Sequence, residues 1–442
     1  MRDLHNITDE KVKYKLIRDT ECNNLFYAGL QYNPPARGTW SIVHTGILLP
    51  ECHEIFVCAE GCLRGTVLSA HEGGFADHFS TVAVQEENIT NGDLESQIIE
   101  GCADVINRLD YRPKAVEVFT SCLHSFSGCD FQYCIRELSK RFTDINFQDC
   151  YMIPTMRNSG ITPDEKMREQ LYAFLNKQKV EDRAVSVLGN AFCLEESSDL
   201  RQIVKASDYI YRDITICDTF YEFQEMGKSE ILIYNLPAAR QGAELLAKRF
   251  DKKLYYSPLC YRFDEIKENN KKLEEIFGTS IDTYDIETKI KKQLLELKDL
   301  LNGWSISIDY TATYRAFNLA RLFEENGIDV NTLYVESVAD DDKEDYEWLK
   351  ENKLNLKLIS PSHPGSIFIH KEGSGNDNVL AIGQKAAFFE GTDHFVNLIE
   401  GSGYQGFDGL SHLLSDVSDA FYNVKDTKSI ISVKAWGCYC DK

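Results

Sequence analysis

Short apolar runs alternate with amphipathic, charged segments along most of the chain, and their spacing predicts strand–helix units. The run Ile55-Phe56-Val57-Cys58, reached from SIVHTGILL, reads as a buried strand. It is followed by Ala59-Glu60-Gly61-Cys62-Leu63-Arg64-Gly65, whose two glycines predict a turn that sets Cys62 at the strand's C-terminal end. Ala115–Thr120 repeats this geometry, a strand running into a turn that carries Cys122 and then a helix. Between the two, Leu94, Ile98, Cys102, Val105, Ile106 and Leu109 recur at helical spacing, which puts Cys102 on a packed face. Residues 145–154 predict a further strand and 163–177 an amphipathic helix.

A second series follows: strands at RAVSVLGNAF, DITIC, SEILIYN and KKLYYSP, with helices at LRQIVKAS and AARQGAELLAKRF. Residues 263–301 are helical and highly charged. A third series opens at WSISIDY and continues through VNTLYVES, LNLKLISPS and NVLAIGQ to a helix over 407–422 and a final strand into Cys438 and Cys440. Strands alternating with helices at this spacing imply parallel βαβ units. The expected class is α/β, with three Rossmann-like domains whose parallel sheets are flanked by helices. Their predicted bounds are an arm at 1–20, a first domain at 21–179, a second with its helical linker at 180–302, and a third at 303–442.

Composition narrows the chemistry. No run approaches the roughly 18 apolar residues that span a bilayer, and Met1 to Leu16 lacks the apolar core of a signal peptide, which predicts a cytoplasmic location. In a reducing cytoplasm the 14 cysteines are not expected to form disulfides, so those not buried as small hydrophobes are candidates for metal or redox chemistry. Nine of them fall between Cys22 and Cys150. The formal charge of −22 argues against binding nucleic acid and suits a partner with a basic docking surface, and without a spanning run no membrane partner is expected. No Walker-type glycine–lysine loop occurs, so any ATP hydrolysis belongs to a partner.

Three stretches carry a resemblance: Glu60-Gly61-Cys62; VFTSCLHSFSGCD over 118–130, led in by ENITNGDL over 87–94; and the strand-end and glycine-rich turns at 308–313, 381–384 and 403–406. Together they resemble the nitrogenase component 1 family, which includes dark-operative protochlorophyllide reductase and cofactor-assembly scaffolds, over most of the chain from Cys22 to Tyr422. The resemblance implies an iron–sulfur cluster, of the [4Fe–4S] kind and shared with a partner subunit, bound by Cys62 and Cys122 and a third cysteine. Cys22, Cys52 and Cys58 compete for that third place; order along the chain favours Cys22, which precedes Tyr27-Ala28-Gly29, and Cys58 is held in reserve.

The turn flanked by Gly61 and Gly65 is expected to expose backbone N–H groups to an anionic cluster, and Arg64 to pair with the cluster or with a substrate carboxylate, as Arg37 can. His44, His53, His71, His78 and His124 flank the candidate loops. The resemblance further implies a redox enzyme subunit in a homo- or hetero-oligomer with a second component 1 chain, fed electrons by an ATP-dependent iron–sulfur reductase. Cys217, His363 and His394 lie in no context matching the family's large cofactor, so the substrate is not expected to be dinitrogen. The alternatives are a non-catalytic scaffold for metallocofactor assembly, or a ligand-binding protein that has lost the cluster. Cys129 replaces the first acidic residue of the family's Gly-Asp-Asp.

Overall fold

The structure, a computed structural model, describes residues 14–26, 32, 34, 42–153, 160–179, 181–369 and 378–431. Arg37, Tyr27-Ala28-Gly29, Cys438, Cys440 and the expected terminal strand lie outside the described residues. The chain forms two compact units, one made of Trp40–Cys193 with Asp208–Pro258, the other of Leu194–Ser207, Leu259–Lys442 and the described part of Met1–Thr39.

Apart from β1 (Lys15–Leu16), the strands fall in chain order into three parallel sheets. The first holds β2 (Cys52–Ala59), β3 (Phe79–Val84), β4 (Ala115–Ser121) and β5 (Asn146–Met152), in the order β3-β2-β4-β5. The second holds β6 (Asp182–Leu188), β7 (Ile210–Asp213), β8 (Ser229–Tyr234) and β9 (Lys253–Tyr256), in the order β7-β6-β8-β9. The third holds β10 (Ser305–Asp309), β11 (Val330–Tyr334), β12 (Lys357–Ile359), β13 (Val379–Ile382) and β14 (Phe395–Val396), in the order β12-β11-β10-β13-β14. β1 is the antiparallel exception, pairing Lys15 with Leu358 at that sheet's edge. The α/β class with helix-flanked parallel sheets is therefore the observed one.

Several elements depart from the sequence reading, each for a local reason. β3 was not foreseen: it is an edge strand with Ser and Thr among its residues, and only Val82 and Val84 are buried. The strand expected at 213–217 lies earlier, at β7, because the Asp213 carboxylate accepts from the Thr215 amide at 3.0 Å and turns Ile214–Ile216 into a 3-10 helix. The charged stretch 263–301 is two helices, Phe263–Phe277 and Tyr284–Leu300, separated at Gly278, whose φ of +67° ends the first.

Around the first sheet, α1 (Ile42–Gly46), α2 (Glu60–Gly73) and α6 (Pro163–Ala173) cover one face, while α3 (Leu94–Arg108) and α5 (Phe131–Arg141) cover the other; the short α4 (Cys122–Phe126) follows β4. With both faces covered, β2 and β4 are buried almost end to end, as central parallel strands require. Because side chains alternate, Cys52, Glu54, Phe56 and Cys58 share one face of β2. They stand in register beside Ala115, Glu117 and Phe119 of β4, with Phe56 stacked on Phe119 at 4.0 Å between ring centres. That face carries the column of groups on which the chemistry rests.

Candidate metal centre

Open parallel sheets present their ligand sites at the strands' C-terminal ends, where amides at the start of the next helix are free to meet an anion. β2 and β4 end side by side, so the residues following them meet. After β2 the backbone enters α2 directly at Glu60: the expected glycine turn is a helical first turn, and Cys62 is its third residue. After β4, Cys122 is the first residue of α4, and Ser121 precedes it.

Cys58 is the last inward-facing residue of β2 and is fully buried. Burial pushes its thiol up to about 12; Cys62 and Cys122 push the same way, while the neighbouring Ser121 hydroxyl favours the thiolate. Cys58 thus feels both Cys62 and Cys122, the residues that follow the two strand ends. Their exposure is graded, with Cys58 buried, Cys122 intermediate and Cys62 exposed.

The other candidates of this unit are placed elsewhere in it. Cys52 opens β2, six residues from Cys58, which at about 3.3 Å per residue puts it roughly 20 Å away at the opposite end of the strand. Cys22 belongs to the other unit, where it packs at the edge of that core beside Lys343 and Glu347. Cys102 and Cys150 are buried in the core of the first sheet. Cys134 is also buried, its thiol donating to the Asp130 carbonyl at 3.4 Å. Cys129 is held beside Cys134 and Glu95.

Gly61, Arg64 and Gly65 are exposed with Cys62 on one side of α2. A side chain added at either glycine would meet nothing within 4 Å, so neither is demanded by packing or by backbone conformation, and that side of the helix is open to a bulky neighbour. Of the five histidines, only His124 lies at the strand ends. Its Nδ1 accepts from the Ser121 amide at 3.3 Å, so the neutral ring carries its proton on Nε2; burial lowers its proton affinity. His53 instead joins Tyr111 at 2.6 Å and Ser80 at 2.8 Å near the start of β2, and His44 turns to the Ser69 carbonyl.

Among the described residues, no group of three or more His, Cys, Asp or Glu side chains is close enough to hold a single metal ion. A cluster several atoms across needs its thiolates farther apart than the ligands of one ion. It also needs soft donors that iron can deprotonate, which describes Cys58, Cys62 and Cys122.

The description "Nitrogenase component 1 type Oxidoreductase" matches residues 46–362. The chain belongs to that family. As a component 1-type chain it is similar to the solved structure "Nitrogenase Cp1 at pH 6.5", with 17% identity, 91% of this chain and 96% of that one covered, and a TM-score of 0.66. It is likewise similar to "Nitrogenase Cp1 at pH 5", with 14% identity, 93% and 94% covered and a TM-score of 0.61. At these identities the likeness is one of fold. No curated protein matches the chain. Among the described residues of this component 1-type chain, no helix is long and apolar enough to cross a membrane.

Proposed function

We propose that this component 1-type chain is an electron-transfer subunit that binds an iron–sulfur cluster through Cys62, Cys122 and, in the third place, Cys58. The convergence of these three thiols at the ends of β2 and β4 carries the reading. Bound there, such a cluster would supply one-electron transfer to a substrate held by the protein.

The chain's own residues have distinct parts in this reading. Cys58 anchors the group on the dry side. The first turn of α2 offers the positive end of a 14-residue helix to an anionic cluster. Cys62 and the open side of α2 face outward, and Phe126, four residues past Cys122, is 78% exposed. An exposed thiol on an open helix side supports a site completed by a second subunit. Electrons arrive in this reading from an ATP-dependent iron–sulfur reductase that docks transiently.

Mixing the anaerobically prepared protein with such a reductase tests this. Reduction followed by electron paramagnetic resonance is expected with MgATP and absent with the nucleotide omitted. Equal reduction with and without ATP would remove the reductase from the account.

A further inference from the structure

Beneath the thiols, the face of the first sheet carries two acidic residues that electron transfer as described does not use. Glu54 and Glu117 are register partners on β2 and β4, and neither has measurable exposure. All four carboxyl oxygens lack a hydrogen-bond partner. Oε1 of Glu54 and Oε2 of Glu117 each lie 2.3 Å from the point where a Cβ on Gly46 would stand, so they are no more than twice that distance apart. Glycine at 46 is what lets α1 close over them.

Two carboxylates this close and this dry cannot both be ionised: each loses hydration and repels the other, and one shared proton relieves both costs. Burial raises both carboxyls above the ordinary carboxylate range, and the Glu117 charge raises Glu54 further. The titratable groups facing the pair are the thiols of Cys52 and Cys150, both buried and both raised. On β5, Asp149 turns to Gln132 and Tyr151. From α1, His44 turns to Ser69 and Glu72 of α2; from α6, Met167 lies beside the same Gly46 position, and Arg168 turns to Asp164 and the Gly189 carbonyl. The charge acting on Glu54 is therefore that of Glu117.

Four residues separate Glu54 from Cys58, about 13 Å along the strand, and the layer between them is the stacked Phe56–Phe119 pair. Charge added at the thiol end is felt by the carboxylates across dry protein, where salt screens little. We propose that Glu54 and Glu117 form an internal proton site that takes a proton from water onto a carboxylate oxygen when an electron is added at the Cys58–Cys62–Cys122 end of the sheet. The electron comes from the reductase partner, the proton from solvent, and the product is a second carboxylic acid. The coupling rests on the cluster reading above; the shared proton does not.

Two measurements test it. Infrared difference spectra of the full chain, with or without iron, are expected to show a carboxylic acid C=O stretch at neutral pH that is missing from E54Q/E117Q. No such difference overturns the proton site, and the wild-type pH titration of the band reads the same proton without a variant. In the iron-loaded protein, the reduction potential is expected to fall with rising pH, by up to about 59 mV per unit for one proton per electron, and to lose that dependence in E54Q/E117Q. A pH-independent potential in iron-loaded wild type overturns the coupling alone. Protein that never carries iron overturns the coupling together with the cluster reading, while the infrared band still decides the proton site.

Discussion

Replacing Cys122 by Ser in protein assembled anaerobically is expected to remove most of its iron and sulfide, and Cys62→Ser and Cys58→Ala are expected to do the same. A hydroxyl is a hard, weakly acidic donor that holds iron far less well than a thiolate, and losing one of few protein ligands leaves the rest too mobile to hold the group. The comparison that gives the result meaning is Cys102→Ala. Cys102 is as deeply buried as Cys58 but lies in the hydrophobic cluster beneath α3. Its loss should cost stability, on the order of 1 kcal/mol for a small buried side chain, and leave iron content unchanged. Cys22→Ser belongs in the same series, because order along the chain favours Cys22 whereas the strand ends favour Cys58. Iron retained in Cys22→Ser and lost in Cys58→Ala assigns the third position to the strand.

The largest stability effect is expected at Arg315, in the other unit. Its Nε donates to Asp342 at 2.6 Å and its Nη1 to the Leu259 carbonyl at 2.9 Å, while Nη2 reaches Glu265 at 3.2 Å and Asp345 at 3.3 Å. Arg315, Asp342 and Asp345 are all buried. Arg262 and Arg321 also reach Asp345, at 3.0 and 3.2 Å, so three arginines tie the segment at 259–265 and the helix Ala316–Glu325 to the helix Lys343–Asn352.

Arg315→Leu removes the cation and leaves Asp342 uncompensated, which costs roughly 3–5 kcal/mol in comparable buried networks. Burial already raises Asp342 to about 7, with Arg315 the main force holding it down. Without Arg315 its folded proton affinity rises further, so the folded state binds more protons than the unfolded one and stability falls as pH rises. Urea unfolding of Arg315→Leu should therefore show a deficit that grows from mildly acidic to mildly alkaline pH. A deficit that is small or independent of pH would mean the network is not what holds this unit together.

Much of the fold is legible in the chain because parallel sheets write themselves as continuous apolar strands between amphipathic helices. Ile55–Cys58 and Ala115–Thr120 lie within β2 and β4, and the helix read at 407–422 is Gly406–Tyr422. What was not legible depends on edges and local hydrogen bonds. β3 alternates too weakly to announce itself, and the Asp213 side chain ends β7 earlier than its β-branched residues suggest.

The same division holds at the site. Strand-end geometry singles out Cys62 and Cys122 from the sequence, but linear order cannot choose among Cys22, Cys52 and Cys58, because that choice depends on which end of a strand each thiol occupies, if it lies on a strand at all. A period-two reading of CHEIFVCA puts Cys58 on one face with Phe56, Glu54 and Cys52, at the C-terminal end of that column, and the Glu in AVEVFTS lies opposite Glu54. Each of the two strands carries a glutamate in its sequence, and the register makes the two meet.

The most direct test of the central claim is iron and acid-labile sulfide analysis of the anaerobically purified full chain, with electron paramagnetic resonance of the reduced protein, beside the triple variant lacking Cys58, Cys62 and Cys122. The expected result is iron and sulfide in comparable amounts with a cluster signal in the wild type and neither in the variant. Equal iron in the two proteins, or none in either, would contradict it.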